Sequence, residues 1–422
     1  MFYEKKTLPN GVRILTEHVP GVRSASLGIW VGTGSRHESA AENGAAHFIE
    51  HMLFKGTETR TARDIAEQTD AVGAQLNAFT SKECTCYYIK VIDEHIELAL
   101  DMLSDMVLRA KLAPEEFEKE KGVILEEIGM NEDSPEDVVF EMLAKALFGE
   151  HSLGMTILGP ADNIRAFKRD ELAAYRARMY RPANTVLALA GHYDWSQVVE
   201  LAQRMFGSWD MRGEASALSR CELQYGVMRR EKDIEQVQIC LGARGVEIGS
   251  NDVYALSIFN NLFGGAMSSR LFQRIREEQG QAYSVYSYPT SYRDCGALAI
   301  YAGTSPEHAQ NVLESLRDEI DRALDGGISE REFTQAREQL KGSYILGLES
   351  ASSRMSALGR RMLLMGDTVN EDQVISRINA VTLDDVDRVM RQALSGRYAA
   401  ALMGKGVNSL DLSMFGIEKI YA

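Results

Sequence analysis

Val186-Leu187-Ala188-Leu189-Ala190-Gly191 returns near the end of the chain as Ala399-Ala400-Ala401-Leu402-Met403-Gly404. Each run is short, apolar and closed by glycine, the pattern of a strand buried on both faces. A helical segment precedes each at a similar distance, Ile164…Asp170-Glu171-Leu172 before the first and Ile378…Asp384-Asp385-Val386 before the second. Further upstream, Phe54-Lys55-Gly56 and Phe263-Gly264-Gly265 each follow an apolar helix and lead through a glycine-containing turn into two strands. A structural unit used twice accounts for this recurrence. The expected fold class is α+β, with two duplicated α/β-sandwich domains, each a mostly antiparallel sheet packed with helices. Their expected extents are 1–208 and 223–422, joined by a linker over 209–222 that lacks hydrophobic periodicity.

Within the first half, alternation predicts a hairpin over 3–8 and 12–18 and strands over 24–32, 75–79, 84–91 and 185–190. Helical periodicity predicts helices over 41–55, 62–72, 93–110, 114–131, 136–148, 161–179 and 195–206.

The chain has 422 residues, with 46 Lys and Arg against 61 Asp and Glu, a formal net charge of −15. That sign disfavours a nucleic-acid partner, which requires clustered basic residues, and attracts cations or basic peptides. Hydrophobic residues at 45% and charged residues at 25% exclude wholesale disorder. The opening MFYEKKTLPNGVRIL has no apolar core of signal-peptide type, and no stretch approaches the roughly 18 apolar residues of a membrane span. The cysteines, Cys84, Cys86, Cys221, Cys240 and Cys295, are odd in number and scattered, so no disulfide framework is expected. A cytoplasmic protein with no membrane partner is the expectation.

The most specific local pattern is His47-Phe48-Ile49-Glu50-His51. Helix residues four apart share a face, so both imidazoles can reach one ion while Glu50 stands beside it. Two His and an acidic ligand leave a zinc position open for water, and an adjacent Glu can take that water's proton. A third ligand can come from Glu127, with Glu120, seven residues earlier on the same helix face, steadying a ligand or the metal-bound water, and with Glu126 as a competing ligand that periodicity does not resolve. With the Phe-x-Gly landmarks aligned, His47, Glu50 and His51 fall opposite Leu256, Phe259 and Asn260, so only the first half keeps this chemistry. No phosphate-binding loop, dinucleotide fingerprint or Gly-x-Ser-x-Gly elbow is found.

Gly44 to Thr57 (GAAHFIEHMLFKGT), with 68 residues between His51 and Glu120 and six between Glu120 and Glu127, resembles the inverted-motif zinc peptidases of the pitrilysin family, M16. The branch it is most similar to is that of the mitochondrial processing peptidase β-subunit and its bacterial homologues. The resemblance implies a zinc-dependent endopeptidase acting on extended or unfolded peptides, with one Zn2+ per chain. It implies His47, His51 and Glu127, in preference to Glu126, as metal ligands, Glu50 as the base, and Glu120 as support behind a ligand. Asn77 and Ala78, in Gly73-Ala74-Gln75-Leu76-Asn77-Ala78-Phe79-Thr80, match an edge strand that binds substrate by backbone pairing. Arg276 and Tyr283 match a pair reaching the zinc site from the second half, and Asp137 and Glu141 match acids that bind an arginine near the cleaved bond. The relatives enclose a chamber of four such domains, which implies a dimer here, a homodimer or a heterodimer with a paralogue. The alternative implied by zinc-less members is a non-catalytic peptide-binding or scaffold subunit, against which the intact His-x-x-Glu-His speaks.

Overall fold

The computed structural model of the chain describes residues 3–210, 218–417 and 419–420. Strands β1 (Tyr3–Thr7), β2 (Arg13–His18), β3 (Ser24–Val31), β4 (Gln75–Thr80), β5 (Thr85–Ile92) and β6 (Thr185–Gly191) form one sheet in the order β1-β2-β6-β3-β5-β4. Strands β7 (Gly226–Glu231), β8 (Val237–Arg244), β9 (Ala282–Ser291), β10 (Gly296–Thr304), β11 (Ala399–Gly404) and β12 (Lys419–Ile420) form the other in the order β12-β7-β11-β8-β10-β9. The two orders correspond strand for strand, and the recurring apolar runs β6 and β11 hold the same place. Pairing is mostly antiparallel, with β2–β6 and β7–β11 parallel. The outermost position is filled differently: β1 joins β2 antiparallel, whereas β12 joins β7 parallel.

Two predicted helices are shorter or broken. The helix predicted over 41–55 is α1 (Ala45–Leu53), because Gly44 stands before it at φ +102. A Cβ there would approach the Leu158 carbonyl oxygen to 2.7 Å, so glycine answers both the backbone and the space. The helix predicted over 161–179 divides into Ala161–Ala166 and Arg169–Met179, the chain extending at Phe167 and Lys168, where the Phe167 side chain is buried.

The chain forms two compact units, and they are discontinuous. The first comprises Met1–Gly129, Met155–Leu218 and Ile345–Glu371, and the second Met130–Gly154, Ser219–Tyr344 and Asp372–Ala422. This differs from the contiguous division expected at 209–222, of which residues 211–217 lie outside the described residues. The difference comes from two helices, further along the chain than α2 (Pro114–Glu132). These are α3 (Pro135–Phe148), which belongs to the second unit, and α4 (Ala351–Met365), which belongs to the first. A sheet with two apolar faces needs cover on both. In the first unit one face packs under helices of the same half through Leu27, Ile29, Leu187 and Leu189. The other, with Leu15, Trp30, Val186 and Ala188, is covered by Met355, Leu358, Met362 and Leu363 of α4. In the second unit, Val139, Leu143 and Leu147 of α3 cover Cys240, Ala399 and Ala401 in the same way.

α4 lies close against its sheet. Trp30 Nε1 donates to Met355 Sδ at 3.3 Å, and a Cβ at Gly359 would come within 2.2 Å of the same indole nitrogen. Alanine normally stabilises a helix interior over glycine by about 1 kcal/mol. Here the fixed ring should outweigh that, and Gly359→Ala is expected to destabilise the protein by about 1–3 kcal/mol. Urea unfolding measures this, and an unchanged or raised midpoint would show that α4 has room to move. Among the described residues no helix is long and apolar enough to cross a membrane.

Candidate metal centre

α1 buries Ala45, Ala46, Phe48, Ile49, Met52 and Leu53 against the core, which turns Glu50 and His51 away from it. Its first amides are not capped by the adjacent residue, since Gly44 has no side chain. Glu38 does this from the preceding loop: Oε2 accepts from Gly44 N and Asn43 Nδ2, each at 2.9 Å, and Oε1 accepts from Ala46 N at 2.7 Å. A carboxylate at a helix N-terminus satisfies orphan amides and complements the helix dipole. Burial pushes the Glu38 carboxyl up to about 7 against these three donors.

His47, His51 and Glu127 come together. One ligand atom from each lies within 4.8 Å of the others, the one such group among the described residues. Glu127 Oε2 is 3.3 Å from His51 Nε2 and 3.6 Å from His47 Nε2. Zinc with bonds of roughly 2.0–2.2 Å in tetrahedral geometry sets its ligand atoms about 3.3–3.5 Å apart. Glu127 Oε2 is buried without a hydrogen-bond partner, as is His47 Nδ1. A buried carboxylate oxygen left unsatisfied costs about 1–3 kcal/mol or more, and a cation between it and two imidazoles removes that cost. The donor set therefore fits a divalent zinc-like ion. Glu126, its neighbour on α2, is exposed and outside the group.

The surroundings prepare these groups. Burial, reinforced by His51, lowers the His47 pKa to about 4, which keeps its imidazole neutral and its lone pair available at neutral pH. Glu120, 2% exposed, receives His51 Nδ1 at 2.8 Å and Lys55 Nζ at 2.8 Å. This contact places the His51 proton on Nδ1 and leaves Nε2 free to ligate. Burial opposes charge on both partners, yet the His51 and Lys55 contacts lower Glu120, and the Glu120 contact, together with the nearby Glu127 and Glu50 charges, raises His51. Glu50 accepts a hydrogen bond of 2.5 Å from Thr80 Oγ1. Burial raises its carboxyl above the ordinary range, while Thr80 and His51 oppose the rise.

Asn77 and Ala78 lie on β4, which pairs with β5 on one side and ends the sheet. Strand alternation turns Leu76, Ala78 and Thr80 toward the α1 face and Phe79 toward Trp30, at 5.5 Å between ring centroids. Asn77 is exposed and its Oδ1 accepts from Ala78 N at 2.8 Å. Arg276 and Tyr283 are together in the second unit, the guanidinium 4.9 Å from the Tyr283 ring centre, with Tyr283 73% exposed. Asp137 and Glu141 are one turn apart on α3, also in the second unit, Asp137 exposed and Glu141 half-buried. The second unit's helix Val253–Asn260 buries Leu256, Phe259 and Asn260, and Asn260 Oδ1 receives Ser287 Oγ at 2.9 Å. Glu38, Lys55 and Thr80 are the contributors that sequence patterning missed. Only Lys55, one turn beyond His51, carried a local signal.

Residues 13–161 match the family described as insulinase (peptidase family M16), and residues 166–340 match the peptidase M16 inactive domain. An uncharacterized zinc protease of Bacillus subtilis, YmxG, is 45% identical over 405 residues, covering 96% of this chain and 99% of its own. An uncharacterized zinc protease of Mycobacterium leprae is 43% identical over 405 residues, covering 95% and 91%. Among solved structures, a protease from Helicobacter pylori aligns with a TM-score of 0.87 at 21% identity, over 96% of this chain and 99% of its own. A structure titled as a peptidase M16 inactive domain, from Pseudomonas fluorescens, aligns with a TM-score of 0.90 at 20% identity, over 96% and 98%. These two carry the fold.

Proposed function

The chain belongs to the insulinase family of peptidases, family M16, and from that premise we propose that it is a zinc-dependent endopeptidase cutting extended or unfolded peptides. The observation that carries this reading is the orphaned Glu127 Oε2 beside two imidazole nitrogens of the helix that also carries Glu50. His47, His51 and Glu127 would hold one zinc per chain, which supplies a Lewis acid for the scissile carbonyl and lowers the pKa of attacking water.

The remaining work belongs to the side chains. Glu50 accepts a proton as the water O–H bond breaks and the C–O bond forms, then returns it to the leaving nitrogen as the C–N bond breaks. Glu120 holds the His51 ring in the ligating tautomer. The β4 edge, at Asn77 and Ala78, takes the peptide as an added strand, which favours extended chains of varied sequence. The resemblance alone assigns Arg276 to a substrate carbonyl and Tyr283 to the charge that develops on the scissile carbonyl oxygen. It also assigns Asp137 and Glu141 to a substrate arginine, which two carboxylates can bind by parallel hydrogen bonds. A dimer, of two copies or with a paralogue, would close the chamber.

Unstructured peptides incubated with the protein and read by mass spectrometry are expected to be cut at internal bonds, more readily where an arginine flanks the bond. Binding without cleavage by a zinc-loaded dimer would favour a peptide-binding subunit instead.

A further inference from the structure

Thr80 is the last residue of β4, and its hydroxyl has one proton and two neighbours. Glu50 Oε2 is at 2.5 Å and Thr85 Oγ1 at 3.3 Å. An ionised carboxylate only accepts, so the Thr80 proton goes to Glu50. Thr85 donates its own proton to the Thr33 carbonyl at 2.9 Å. The Tyr180 hydroxyl lies 2.8 Å from that of Tyr87. Thr33 Oγ1 in turn meets the Tyr175 hydroxyl at 3.2 Å. Thr85, Tyr87, Tyr175 and Tyr180 are all buried, at 0%, 0%, 2% and 5% exposure. Strand register brings these groups into line, since Thr85 pairs with Thr80 on one side and with Val31 on the other. The Thr80 hydroxyl thus gives its one proton to Glu50, while Thr85 beside it gives its own to the backbone.

A hydroxyl at position 80 is more than strand packing requires, because valine fills the space of threonine on a strand without needing hydrogen-bond partners. A glutamate has three side-chain torsions, and a base must be held within a fraction of an ångström of the proton it takes. A short hydrogen bond from a hydroxyl fixed on a strand to an ionised carboxylate is charge-assisted and holds that carboxylate firmly. We propose that Thr80 is the positioning residue that aims the Glu50 carboxylate at the attacking water. This rests on the reading of Glu50 as base given above.

Thr80→Val keeps the shape and removes the hydroxyl, whereas Thr80→Ser keeps the hydroxyl. With the full-length, zinc-loaded protein and one unstructured peptide, Thr80→Val is expected to lose about 10–100-fold in kcat, with KM and zinc content little changed. Thr80→Ser should recover most of the loss. In a Glu50→Gln background, Thr80→Val should have no further effect, because the carboxylate it aims is already gone. Wild-type kcat in Thr80→Val, alongside an inactive Glu50→Gln, would overturn the positioning role and leave the base intact. A raised KM with unchanged kcat would overturn it too, placing Thr80 with the substrate strand. Full turnover by Glu50→Gln would instead remove the base reading itself. If Thr80→Val does not fold, the same comparison is made between Thr80→Ala and Thr80→Ser.

Discussion

Glu50→Gln is expected to retain one zinc per chain and to lower kcat by about 10²–10⁴-fold, the range associated with loss of a positioned general base. Glutamine keeps the volume and can still accept from Thr80 through its amide oxygen, so the local fold should persist. What it cannot do is take a proton at neutral pH. Glu50 is not one of the three groups gathered around Glu127 Oε2, so metal binding should survive its loss. Single-turnover cleavage and metal analysis on one preparation separate the two effects. Loss of zinc together with activity would place Glu50 among the ligands, and retained turnover would refute its role as base.

The second large effect is expected at Glu127. Removing its carboxylate takes away the acidic donor and leaves two imidazoles, with Glu120 already committed to His51 and Lys55. Glu127→Ala should therefore weaken zinc by more than the roughly 10–100-fold typical of removing a group that only supports a ligand. Glu120→Gln, which does only that, should fall within that range. Glu126→Ala should bind zinc as wild type does, because Glu126 is exposed and outside the group. Competition against a chromogenic chelator orders the three variants. Equal losses at positions 126 and 127 would contradict the geometry.

These groups differ in how far they were legible in sequence. His47, Glu50 and His51 lie within five residues on one helix, so their convergence follows from helical periodicity. The buried strands β6 and β11 and the duplication were legible for the same reason, since an apolar run bounded by turns is a local pattern. Glu126 and Glu127 are adjacent, and a helix turns by about 100° between neighbours. The family resemblance favoured Glu127, and the fold brings its Oε2 to the imidazoles. Thr80 and Glu38 were illegible because their contacts to α1 depend on how β4 and the preceding loop pack, and no spacing encodes that.

The exchange of α3 and α4 was hidden for a related reason. Met355, Leu358 and Met362 announce a helix with one apolar face, but an apolar face carries no address for the sheet it covers. The linker expected at 209–222 marked a change in composition. The compact units are instead set by which helix shields which sheet.

The central claim is that the zinc held by His47, His51 and Glu127 is what makes the chain a peptidase. Its most direct test is to strip the metal with a chelator, then add zinc back in steps while counting bound zinc and cleavage rate on the same samples. The account predicts that cleavage vanishes with the metal and returns in proportion to bound zinc, levelling at one per chain. Cleavage that persists without metal, or zinc filling one site per chain with no cleavage, would contradict it.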